Sequence, residues 1–181
     1  MKIKVVLVVL VVLFAKNATA QTMGWVEERM FIKDGQVIQR IDGLVNGSVK
    51  NNLGTFVWFQ VDKSYAQGYA GLTFSPKPWI QFAGGAGIEQ DKSPFRVGGY
   101  IWLSKDKISL LFIPEYGGSG FWAKMEFNQG IGKHVGFGLI SERYKGTGPR
   151  VEISISKFKL WAAPLWEKRR AAGLVGIRYK F

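Results

Sequence analysis

Residues 121–128 read FWAKMEFN. In an extended chain successive side chains point to opposite faces. Phe121, Ala123, Met125 and Phe127 therefore share one face, and Trp122, Lys124, Glu126 and Asn128 share the other. One face is wholly apolar. The other carries an acid, a base, an amide and an indole. A soluble strand with one wet side would not put a large indole among its charges, so both faces of this segment need an environment.

The same period of two recurs on both sides of it. TFVWFQVD sets Val57, Phe59 and Val61 against Phe56, Trp58, Gln60 and Asp62. FRVGGYIWLS sets Phe95, Val97, Ile101 and Leu103 against Arg96, Tyr100 and Ser104, and RVEISIS sets Val151, Ile153 and Ile155 against Glu152. Short breaks such as QDKSP, SKDK, YGGSG and KGTG carry turn chemistry between the runs. The pattern predicts about ten strands, within a range of eight to twelve: 53–62, 65–74, 79–89, 95–104, 107–116, 121–128, 134–144, 149–156, 159–167 and 171–181. Short turns between consecutive strands predict an antiparallel meander.

The runs are about ten residues long, the length of a tilted strand that crosses the hydrocarbon layer of a bilayer. Strands of soluble proteins average nearer five or six. A sheet in lipid has to close, because an open edge leaves backbone groups unpaired in hydrocarbon. The fold expected is an all-β, closed antiparallel transmembrane barrel occupying residues 53–181. Residues 21–52 are less regular. FIKDGQVI holds Asp34-Gly35, a good two-residue hairpin turn, and the segment is read as a hairpin, a plug or further barrel strands.

The first residues, MKIKVVLVVLVVLFAKNATA, combine a short basic start, an apolar run too short to span a bilayer as a helix, and a small-x-small site at Ala18-Thr19-Ala20. They read as a secretory signal peptide over 1–20, cut near Ala20. The formal charge of +12 falls to +9 with the loss of Lys2, Lys4 and Lys16. The chain has no cysteine. That removes disulfides, thiol catalysis and Cys-ligated metal.

Trp79, Phe95, Tyr116, Phe121, Tyr144 and Trp166 fall at or near strand ends, where a membrane barrel places its aromatic girdles. The inward rows bring Glu89, Arg96, Glu115, Lys124, Glu126, Glu142, Glu152 and Arg178 to the lumen. Inward charges must pair when water is scarce, so with Trp58, Tyr69, Tyr100, Trp102 and Trp122 beside them the favoured expectation is a filled lumen. Twelve strands would tilt the balance toward a narrow pore. His134 is the one histidine, in the turn sequence GKHVG. No Ser or Asp follows it in a recognisable nucleophilic motif, and one His without Cys does not make a transition-metal site. No catalytic residue, metal or cofactor is expected.

The chain finishes GLVGIRYKF, with Val175, Ile177, Tyr179 and Phe181 at every second position. This ending resembles the C-terminal signal of Gram-negative outer-membrane β-barrel proteins. The resemblance implies recognition by the barrel assembly machinery, an outer-membrane location, an even strand count and both termini in the periplasm. The Lys and Arg of the turns are expected to meet outer-membrane lipids and lipopolysaccharide, or equally to serve solubility and interfacial anchoring alone, and export with a barrel pattern argues against a nucleic-acid partner. Within that class the expected role is structural or interaction-related in the cell envelope. A narrow pore for small, anionic solutes is the alternative, and a lipid-modifying barrel enzyme comes third.

Overall fold

The computed structural model describes residues 22–168 and 170–181; the signal-peptide reading and Arg169 lie outside them. Twelve antiparallel strands run in chain order: β1 (Thr22–Lys33), β2 (Gln36–Lys50), β3 (Leu53–Asp62), β4 (Ala66–Lys77), β5 (Ile80–Glu89), β6 (Phe95–Lys105), β7 (Ile108–Gly117), β8 (Gly120–Ile131), β9 (Val135–Glu142), β10 (Gly146–Ile155), β11 (Phe158–Glu167) and β12 (Arg170–Lys180). Each pairs with its sequence neighbours, and β1 pairs with β12 to close the barrel. Ten of these strands lie where the alternation puts them, to within a few residues. The other two come from residues 22–50, which join the wall as β1 and β2 around the Asp34-Gly35 turn. Both turn residues have positive φ, 50° and 73°, the left-handed pair that a type I′ hairpin turn requires and that Asp-Gly accommodates.

The termini and the turns after β2, β4, β6, β8 and β10 share one end of the barrel, called here the terminal end; the other six turns form the distal end. The even rows of β12 show how the wall sorts its side chains. Leu174 and Arg178 are buried inside, while Ile177 and Tyr179 stand exposed outside. All six girdle residues point outward and are exposed. Phe95, Tyr116, Phe121, Tyr144 and Trp166 ring the distal end. Trp79 lies at the terminal end, where Phe158, Tyr179 and Phe181 form a further aromatic group with ring centroids 5.1 and 6.3 Å apart.

The last residue adds the end pair of hydrogen bonds to the β1–β12 seam that closes the barrel. Phe181 donates its backbone N–H to the Gly24 carbonyl at 3.1 Å and accepts from the Gly24 N–H at 3.3 Å. Its ring lies over Gly24, where an added Cβ would come within 2.8 Å of Phe181 Cζ. Elsewhere the ladder is interrupted once by proline on both sides. Pairing between β10 and β11 skips from Thr147↔Trp166 to Val151↔Ala162. Pro149 and Pro164 face each other in the gap, and neither has an N–H to give.

Candidate functional site

The inward faces of the strands meet in the lumen as two apolar clusters separated by charge. Phe56, Trp58, Tyr69, Tyr100, Leu111 and Ile113 fill one side of the barrel, with Phe56 edge-on to Tyr69 and Tyr100 at 5.8 and 5.4 Å. Phe31, Ile140, Trp161, Ala163, Leu165 and Leu174 fill another.

Three groups of ion pairs occupy the remaining cross-section. Arg96 bridges Glu89 and Glu115 at 2.5 and 2.9 Å. Gln67 and Tyr69 also donate to Glu115, and Tyr65 and Ser119 to Glu89. On the opposite wall Arg29 joins Asp42 and Glu142, both at 2.6 Å. Glu142 also takes Lys145 at 2.5 Å, and Arg40 pairs with Asp62 at 2.7 Å. Below them Arg178 joins Glu27 at 2.7 Å and Glu126 at 3.0 Å. Glu126 also meets Lys124 at 2.7 Å and Arg150 at 3.1 Å, and Glu152 meets Arg150 and Lys159. Two indoles complete this group: Arg150 lies 4.1 Å over the Trp161 ring and Arg178 lies 4.2 Å over Trp25. Guanidinium stacked on indole gains a cation–π attraction that strengthens away from water.

All eight lumen charges expected from the alternation are therefore buried and paired. They do not form one cluster. Glu89, Arg96 and Glu115 stand apart, Lys124, Glu126 and Arg178 touch, and Glu142 and Glu152 are tied in through Arg29 and Arg150. Sequence reasoning missed Glu27, Arg29, Arg40 and Asp42, which enter from β1 and β2, and Arg150. Their signal was the alternation of Trp25, Glu27, Arg29 and Phe31. It was masked because Glu28 interrupts the apolar row beside it.

The balance of charge is informative. The ion pairs just named join eight basic to eight acidic side chains, and the rim pair Lys33–Glu167 adds one of each. The network is neutral as a set. Its centre is closed to bulk solvent: Glu27, Arg29, Lys124 and Arg150 are 0–1% exposed. A water-filled channel of ordinary width would expose its lining. Toward the terminal end the lumen widens into a vestibule of about 430 Å3 walled by Trp25, Tyr100, Trp102, Asn128, Lys159, Arg178 and Lys180. Lys180, at the mouth, is exposed.

Lys145 sits in the turn between β9 and β10, over Glu142. Burial pushes its ammonium group down from 10.5 to about 7; Glu142 opposes the shift and Arg29 and Arg40 add to it. From about pH 7 to 10.5 the unfolded chain then binds more protons at this group than the folded one, so the group makes stability rise with pH across that window. The difference in urea midpoint between the wild type and Lys145→Met is expected to move in the wild type's favour from about pH 7 to about pH 10. A constant difference would show that Lys145 is solvated.

His134 is exposed in the turn after β8, where Nδ1 lies 3.1 Å from the Ser154 carbonyl oxygen. No hydroxyl or carboxylate side chain is hydrogen-bonded to it among the described residues.

No protein-family model matches the chain, and no curated protein matches it in sequence. Solved structures do. The KdgM porin superposes with a TM-score of 0.58 at 12% identity, over 87% of this chain and 99% of that one. A KdgM porin in complex with disordered oligogalacturonate gives the same TM-score at 14% identity. The NanC porin gives 0.54 at 10% identity, over 86% and 100% of the two chains. At these identities the likeness is one of fold. The chain is a closed antiparallel β-barrel with the architecture of outer-membrane porins.

Proposed function

We propose that this protein is an outer-membrane β-barrel of a Gram-negative envelope, with a structural or interaction role and a lumen held shut by its own ion pairs. The observation that carries the reading is the neutral, buried network across the lumen, centred on Arg29, Lys124, Glu126 and Arg178. The likeness of fold to porins and the exposed apolar outer face support the location. In this reading the Lys and Arg of the turns meet lipid phosphates, and the Val175, Ile177, Tyr179, Phe181 ending is the segment read by the assembly machinery.

A second reading, a narrow pore for small anionic solutes, is supported by the porin-like fold and by the vestibule, where Lys159, Arg178 and Lys180 outnumber Glu126. Planar-bilayer recording separates the two. The wild type is expected to show no steady channel under conditions in which a reconstituted KdgM porin conducts. A steady open level in the wild type would remove the closed-lumen reading, and a change in its ion selectivity with Lys124→Ala or Arg96→Ala would establish the pore.

A further inference from the structure

On the outer wall one feature does not suit lipid. Among the described residues, Glu28 is the one charged side chain that faces outward away from the ends of the strands. It lies between Val26 and Met30 on β1, whose inward neighbours are Glu27 and Arg29, and opposite Ile177 on β12 and Ile41 on β2. From Gly24, level with the Phe181 ring, Glu28 is four residues along the strand. At a rise of about 3.3 Å per residue and a tilt of about 40° it stands about 10 Å inside the girdle, near the middle of an apolar band about 25 Å tall. Lipid head groups lie at the girdle, and acyl chains have no donor to offer.

Among the described residues the group that answers Glu28 is Gln39 on β2, which donates Nε2–H to Glu28 Oε1 at 2.8 Å. That bond uses one oxygen of the carboxyl and one N–H of the amide. Glu28 keeps a second oxygen and Gln39 a second N–H, so the pair is self-complementary. We infer that the β1–β2 face is a docking surface for a second copy of this chain, with Glu28 of each protomer accepting from Gln39 of the other across a two-fold axis parallel to the barrel axes. Two copies inserted in the same orientation hold these residues at the same depth, as such an axis requires. Buried polar groups in a bilayer are held by hydrogen bonds between protein segments. Beside the pair runs an apolar groove of about 520 Å3 bordered by Met30, Leu160, Ala162 and Val175, able to receive side chains of the facing wall.

The inference rests on the reading of the chain as a membrane barrel, and its test reports the two separately. The chain has no cysteine, so single cysteines report cleanly. Met30→Cys lies beside the pair; Met125→Cys, outward on β8, is the control. In lipid vesicles Met30→Cys is expected to form a disulfide-linked dimer at least about tenfold faster than Met125→Cys. Adding Glu28→Leu and Gln39→Leu to Met30→Cys should reduce that rate to the control's. These leucines suit lipid, so the barrel itself is expected to insert, which a heat-dependent shift in electrophoretic mobility verifies. Equal rates for the two cysteines, or dimers undiminished by the double leucine change, would overturn the inference while leaving the barrel intact. Absence of the mobility shift in the wild type would instead remove the membrane reading.

Discussion

Arg178→Met is expected to destabilise the folded barrel by about 3–5 kcal/mol, read as a lowered urea midpoint in lipid vesicles, because removing one member of a buried charge set strands its partners. Arg178 gives Nε–H to Glu27 at 2.7 Å and Nη2–H to both oxygens of Glu126 at 3.0 Å, with its plane over Trp25. Its loss leaves Glu27 with the Trp161 Nε1–H at 2.8 Å and with Lys124 no nearer than 3.7 Å. Methionine fills the aliphatic volume but supplies neither donor nor charge. The comparison is Lys33→Met, which removes the same charge from the rim pair with Glu167, 24% and 30% exposed. There water replaces the lost partner, and the cost is expected to stay below about 1 kcal/mol. Equal effects would mean that the centre of the lumen is wet, which would also undermine the closed-lumen reading.

The second large effect concerns assembly. Phe181→Asp, or deletion of Phe181, is expected to reduce the heat-modifiable, membrane-inserted form to a minor fraction, measured in cell envelopes. Two consequences act together. The backbone of Phe181 makes the terminal pair of hydrogen bonds on the β1–β12 seam, and its ring covers Gly24. Without the ring the terminal end of the seam is exposed at the depth where aromatics anchor a barrel. With Asp a carboxylate is placed there. Phe181→Tyr keeps ring and backbone and should assemble normally. Full assembly of the Asp variant would show that closure is carried by the remaining β1–β12 pairs, Trp25↔Lys180 to Ile32↔Gly173.

The strands from Leu53 to Phe181 could be read because each repeats a rule that acts on every residue: apolar outward, mixed inward. The eight lumen charges followed from the same parity, and the girdle aromatics from their places at or near strand ends. The rule weakened at β1 and β2 because Glu28 and Gln39 stand in the outward row where apolar residues were expected, and so a hairpin of the wall read as irregular. The same two residues carry the proposed contact between protomers.

Alternation, length and turn chemistry are local, and by themselves they determined a closed all-β barrel with a known inside and outside. Strand number decides the circumference, and pairing register decides which inward charge meets which. Both depend on partners more than a hundred residues apart, such as Arg29 with Glu142 and Arg178 with Glu27. Only the tertiary structure could set those distances, and they decide whether the charged side chains of the lumen line a channel or close it.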